Sequence, residues 1–305
     1  MKFSEHLKTL FFLLILIQFA PPIIKNIKKQ YENLIKPKVQ VGLIPVKGIL
    51  YSADRINKYL NKYFKDPNIK AILLKMDCPG GASGTAQSIY QEIQSLKKKH
   101  KKPIVTLVEN ICASGGYYIA CATDHIITTP SAIVGSIGVS FQYLFQLQEF
   151  IEQFKIKYKA VTAGKYKSTT DPFIDITPEQ EKQLQIVLDD SYDQFVSDVS
   201  KNRRLPLKTK DNWAQGKIFN GNQAFKLGLV DKIGSPFVAK EVIRDKAQIE
   251  IEKEIEWVKP PTKTGLAQFF GAPEEDDNSM FSLMEHKLRA FLTNKVVKPF
   301  GSSIQ

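Results

Sequence analysis

"IKAILLKMDCPGGASGTAQSIYQEIQSLKKK", residues 69–99, holds the pattern that decides the fold. Its opening run, "IKAILLKMD", is short and almost wholly apolar up to Asp77, as in a strand buried on both faces. "CPGGASG" then breaks any periodicity with a proline and adjacent glycines. "TAQSIYQEIQSLKKK" resumes as an amphipathic helix whose last turn carries Lys97, Lys98 and Lys99, where the helix dipole favours positive charge. "PIVTLVEN", residues 103–110, is again short, apolar and β-branched. Strand, glycine-bearing loop, helix and strand in succession predict βα units with parallel strands. Ligands in such folds gather at the carboxyl ends of the strands.

The same rhythm extends outward. Small and apolar residues from Ser114 to Thr123 predict a buried helix, and "HIITTP" and "AIVGSIGV" predict further strands. Upstream, "VQVGLIPVKGIL" is the first strand candidate, followed by a helical stretch. Downstream, "DITPEQEKQLQIVLDDSYDQFVSDVSKNR" is a long helix. Thr177 is placed to cap it, Pro178 suits its first position, and Gln180 completes a capping box. Leu184, Leu188, Tyr192, Phe195 and Val199 form its apolar stripe. "GNQAFKLGLVDKIGS" reads as a short helix, a turn and a closing strand.

The 305 residues are 43% hydrophobic and 24% charged, the composition of a globular chain. A net charge of +12 is mostly scattered lysine, without the aromatic interleaving of a nucleic-acid module, so a solvated surface is expected and no nucleic-acid partner. Cys78, Cys112 and Cys121 form neither a disulfide framework nor a metal spacing, and read as buried packing residues. No cofactor or metal is expected. From Leu10 to Ile24 the chain is apolar except for Gln18, and no good cleavage site follows, so residues 1–30 are expected to be an uncleaved membrane anchor with a basic flank. Residues 31–258 would form the main domain. Residues 259–305, Pro/Gly-rich and then acidic, would be a linker and tail with an amphipathic helix.

Both glycine loops, Pro79–Gly81 and Ser114–Gly116, fall at strand ends, so they are candidates to meet in space. Ser114 follows a strand and opens a helix, and the Gly115 amide would face a developing negative charge. Gly80 and Gly81 let a second main-chain donor approach, and a pair of such donors forms an oxyanion hole. A serine nucleophile needs a base. His6, His100 and His286 lie in unsuitable contexts, and His125 begins a strand at the edge away from the ligand side. A lysine can serve where burial or neighbouring charge keeps it neutral, and "VTAGKYKSTTDPF" offers both Lys165 and Lys167.

"DCPGG", "ASGGYYIA", "VGSIGV", "AGKYKSTTDPF" and "LGLVDKIG", in this order, resemble the signal peptide peptidase family of membrane-bound Ser–Lys proteases over about residues 39–251. The resemblance implies an α/β, Clp-protease/crotonase-like spiral of ββα units. It places the nucleophile at Ser114, the general base at Lys167 and the oxyanion hole at Gly81 and Gly115. Gly80, Ser136 and Ser168 would support them. It further implies hydrophobic peptide substrates such as cleaved signal peptides, and a ring- or dome-shaped homo-oligomer. The location would be single-pass in a bacterial inner membrane, with the catalytic domain on the outer, periplasmic side. Asp77-Cys78 before the Pro-Gly-Gly turn and Ser168 after the lysine depart from the family pattern. The alternatives are a crotonase-fold acyl-CoA enzyme, which has no use for a serine–lysine pair, and an inactive peptide-binding scaffold.

Overall fold

The structure, a computed structural model, describes residues 38–141 and 145–261 together with Pro21, Ile24 and Lys25. The expected anchor and most of the expected tail lie outside the described residues. Among the described residues no helix is long and apolar enough to cross a membrane.

The fold is mixed α/β. In chain order, β1 (Lys38–Leu50), α1 (Asp54–Lys65), β2 (Ile69–Gly81), α2 (Ser83–Lys99) and β3 (Ile104–Ala113) alternate as the sequence predicts. They are followed by α3 (Gly115–Cys121), β4 (His125–Thr128), β5 (Ile133–Gly135) and α4 (Gln148–Gln153). The chain continues through α5 (Pro178–Arg203), a 3-10 turn (Leu207–Thr209), α6 (Lys210–Trp213), β6 (Ile218–Asn220), α7 (Gly221–Lys226) and β7 (Lys232–Ile233). It closes with α8 (Pro236–Lys246) and β8 (Glu254–Val258).

One sheet runs β6-β5-β3-β2-β1-β8, with β4 pairing β3 and β7. Every pairing is parallel except β5 with β6. The largely apolar run of β2, broken by Lys70 and Lys75, is explained by burial on both faces. Ile72, Leu74 and Met76 join the core beneath α1, α2 and α3, while Ala71 and Leu73 pack with Val242 and Ile243 of α8. Each buried Ile, Leu or Met among these contributes about 1.5–3 kcal/mol.

β3 changes partner half way along. Val105–Val108 pair with His125–Thr128 of β4, and Ile111–Ala113 pair with Ile133–Gly135 of β5. "AIVGSIGV", read as a strand, is a strand only over its Ile133–Gly135 portion. Positive φ at Gly135 (105°) and Ser136 (51°) turns the chain out of the sheet beside Ser114.

The long helix α5 starts as predicted. The Gln180 amide donates to Thr177 Oγ1 at 3.2 Å, the Thr177 amide donates to Gln180 Oε1 at 3.0 Å, and Pro178 follows the cap. Its stripe is buried only toward the C-terminus, at Phe195 and Val199. Leu188 and Tyr192 instead line an open cleft.

Candidate active site

Ser114 stands where β3 ends and α3 begins, with φ 51° and ψ −125°. That region is costly for a residue with a side chain, about 1–3 kcal/mol, and persists only where the surroundings impose it. They do: the Ser114 amide donates to the Gly135 carbonyl at 2.8 Å, and its carbonyl accepts from the Tyr118 amide at 3.0 Å. The main chain is thus held from β5 on one side and α3 on the other. The hydroxyl caps nothing in α3.

The two glycine loops meet. A Cβ added to Gly80 would lie 2.8 Å from Ser114 Cβ and 3.1 Å from both Ser114 Oγ and the Gly115 nitrogen. Only a bare backbone can lie this close to the hydroxyl. Gly80 and Gly81 take φ of 116° and 150°, and a Cβ on Gly81 would stand 2.3 Å from the Leu50 carbonyl oxygen. Gly116 is confined likewise, its added Cβ falling 2.7 Å from the Cys78 carbonyl oxygen.

Two cavities open from this point. A pocket of about 150 Å³ has Ser114, Gly81 and Gly115 at one side and Ala86, Tyr118 and Phe195 among its walls. Those walls are packed against one another. Tyr118 stacks on Phe195 with centroids 4.4 Å apart, packs against Tyr90 at 4.9 Å, and donates its hydroxyl to Asp198 Oδ2 at 2.5 Å. A larger cleft of about 1020 Å³ is lined by Ser114, Gly80, Gly81 and Ser136, and by Val139, Leu188 and Tyr192. Ser136 is held there by its amide, which donates to the Lys217 carbonyl at 2.7 Å.

The two lysines left open by the sequence are separated by the structure. Lys165 is occupied: its ammonium donates to Glu179 Oε1 at 2.6 Å, and this bond raises its pKa, the wrong direction for a neutral base. Lys167 is exposed, its amide donating to the Gly164 carbonyl at 3.1 Å, and its ammonium has no partner among the described residues. Neither Lys167 nor Ser168 lines either cavity. The structure therefore gathers Ser114, Gly80, Gly81, Gly115 and Ser136, and leaves Lys167 and Ser168 on the surface loop that precedes α5.

His125 opens β4 with Nδ1 4.0 Å from Asp231 Oδ2, and burial lowers its pKa. It lines neither cavity, as the reading of a structural histidine expects. All three cysteines are buried and free. Cys78 does more than fill space: its Sγ accepts a hydrogen bond from the Gly80 amide at 3.3 Å, a role that packing alone had hidden. Asp77 beside it accepts from Asn110 Nδ2 at 3.0 Å, tying the end of β2 to β3. The Tyr118 and Phe195 walls also escaped the sequence reading, because they come from separate helices. Among the described residues no cluster of His, Cys, Asp or Glu is placed to hold a metal ion.

Residues 96–250 match Peptidase family S49. A candidate protease of Synechocystis sp. is 34% identical over 225 residues, covering 73% of this chain and 80% of its own. A candidate signal peptide peptidase of Enterococcus faecium is 33% identical over 184 residues, covering 60% of this chain and 53% of its own. A solved chain of a membrane-bound stomatin-specific protease is 17% identical, covers 73% of this chain and 99% of its own, and superposes with a TM-score of 0.48.

Proposed function

The chain belongs to Peptidase family S49 and is a serine peptidase; from that premise we propose that it is a membrane-anchored endopeptidase in which Ser114 and Lys167 form a catalytic dyad. The observation that carries the reading is the apposition of Ser114, held at φ 51°, with the bare backbone of Gly80 and Gly81 at the mouth of a cleft. Lys167, as general base, takes the Ser114 proton as Oγ attacks a peptide carbonyl carbon. The Gly81 and Gly115 amides hold the resulting oxyanion, each such donor contributing about 2.7–4 kcal/mol at the transition state. The lysine ammonium then returns the proton to the leaving amine, and water, deprotonated in turn, hydrolyses the acyl-enzyme.

The cleft supports hydrophobic peptide substrates such as cleaved signal peptides, since Ile49, Val139, Leu188 and Tyr192 line it. A pocket near 150 Å³ matches a ring the size of benzene, so one apolar side chain of that order would seat beside Ser114. Parallel βα units accord with a Clp-protease/crotonase-like spiral. An anchor within residues 1–30 would hold the site at a bacterial inner membrane, with the catalytic domain on its outer side. Lys167 stands on an exposed loop, so the dyad closes when that loop packs inward or meets another copy in a homo-oligomer.

The test uses the full-length chain in detergent with a hydrophobic reporter peptide. Ser114→Ala and Lys167→Ala should each lower turnover by about 10⁴-fold or more, while Lys165→Ala stays close to wild type. Full activity in either of the first pair would sink the dyad.

A further inference from the structure

Cys78 reads in the sequence as a packing residue, yet its thiol is bonded to the turn that faces Ser114. Cys78 Sγ accepts from the Gly80 amide at 3.3 Å, and its S–H donates to the Gly80 carbonyl at 3.7 Å. One side chain therefore holds both polar groups of Gly80. The thiol has little room to move: a Cβ on Gly116 would lie 3.2 Å from both Cys78 Cβ and Sγ, and the side chain is fully buried.

The Gly80 carbonyl and the Gly81 N–H belong to one planar trans peptide and so point in opposite directions. Holding that carbonyl inward, against the thiol, turns the Gly81 N–H outward to the side shared with Ser114, whose pocket Gly81 lines. β1 fixes the same turn from its other edge, because the Leu50 carbonyl accepts from the Ala82 amide at 2.8 Å.

We propose that Cys78 is a positioning residue for the oxyanion donor at Gly81, its thiol setting the Gly80–Gly81 peptide plane against the carbonyl oxygen that Ser114 attacks. The proposal rests on the reading of Ser114 as the nucleophile. The thiol undergoes no reaction. Burial pushes its pKa up to about 11, so it keeps the proton that it donates to Gly80. Cys112, its register partner on β3, is equally buried but makes no hydrogen bond to the turn among the described residues. It is a matched control for lost volume.

The experiment measures reporter-peptide kinetics and the rate of fluorophosphonate labelling of the full-length chain in detergent. Wild type, Cys78→Ala, Cys78→Ser, Cys112→Ala and Ser114→Ala are compared. Cys78→Ala should lower kcat by about 10- to 100-fold with KM little changed, and slow labelling in step, because a misdirected donor weakens only the transition state. Cys78→Ser should recover most of the rate, since a hydroxyl also donates and accepts. Cys112→Ala should stay near wild type. An unchanged kcat in folded Cys78→Ala, or an equal loss in Cys112→Ala, overturns the proposal. If Cys78→Ala melts below the assay temperature, Cys78→Val takes its place. A loss there that Cys78→Ser does not share supports the proposal, and an equal loss in both overturns it. Failure of the nucleophile reading looks different: wild type would not label, or Ser114→Ala would label equally.

Discussion

At the scale of single residues, the site is built from atoms that are absent. Gly80 has no side chain because Ser114 Cβ occupies the space one would need, at 2.8 Å, and its φ of 116° disfavours any other residue. Gly80→Ala must therefore displace Ser114 or the turn. Its expected signature is an activity loss out of proportion to its stability loss: turnover down by about 10²-fold or more, with unfolding lowered by about 1–3 kcal/mol. Gly84, which lines the smaller pocket beside Ser114, has open space around its Cβ position and sits in α2. Alanine there should fold at least as well as glycine, since it restricts the unfolded chain. Thermal melts run beside peptide hydrolysis separate the two. A stable, fully active Gly80→Ala would show that the turn does not bear on Ser114.

At the scale of elements, the C-terminal end of α5 is locked to β4 and to the turn before β7 by one ionic cluster. Arg203 forms a bidentate pair with Asp231, both bonds 2.8 Å, and also donates to the Gly228 carbonyl. Asp231 Oδ2 in turn accepts from the Ile126 amide at 2.7 Å. Removing one partner strands a partly buried charge, so Arg203→Ala should cost about 1.5–3 kcal/mol in chemical denaturation. The cluster also sets the response to acid. Burial would raise the Asp231 pKa, but the Arg203 pair outweighs it and the carboxyl ends below its usual value. Burial also lowers His125, which is faced by Asp231, Lys246, Arg203 and Lys232. In both groups the folded pKa is depressed, so their stability is present above the unfolded pKa and is lost as pH falls. Loss should begin near pH 6.5 through His125 and continue below about pH 4 through Asp231. Melting temperature followed against pH should show His125→Gln flattening only the upper part of the fall. A wild-type curve flat from pH 7 to 4 would contradict this assignment.

Element types were legible in the sequence where periodicity and punctuation agree. The βα alternation of residues 39–123, the capping box at Thr177 and the role of each cysteine as buried all follow from local chemistry. What was not legible depends on tertiary placement. β5 is cut short because Gly135 and Ser136 take positive φ, which no periodicity announces. The front of α5 keeps an apolar stripe without burying it, because the stripe faces a cleft. Strand-end positions made Ser114 and the glycine turn candidates to meet, and the structure brings them together. The hydrogen bond from Gly80 to Cys78 was not legible, since it needs the turn's real backbone path.

For the whole molecule, the uneven distribution of apolar surface is the property with most consequence. α4 buries none of its residues, and Phe150 and Phe154 are 56% and 62% exposed while packing edge-on at 5.1 Å. Ile156 and Val161 follow at 55% and 90% exposed, on the segment that leads into the Lys167 loop. We propose that these exposed apolar side chains, close together in sequence though interleaved with lysines, form a contact surface. A second copy of this chain is the occupant that also serves the chemistry, since it would bring ordered structure against the loop that carries Lys167. The full-length chain in detergent should therefore sediment as an oligomer. Phe150→Glu combined with Phe154→Glu should dissociate it, because charge placed in an apolar contact costs several kcal/mol per ion, about. If the dyad closes only within the assembly, reporter-peptide turnover should fall with the sedimentation coefficient, while helix content stays at the wild-type level. A wild-type chain that sediments as a monomer at micromolar concentration and still cleaves peptide would remove the assembly from the mechanism, and leave closure of the Lys167 loop to motion within one chain.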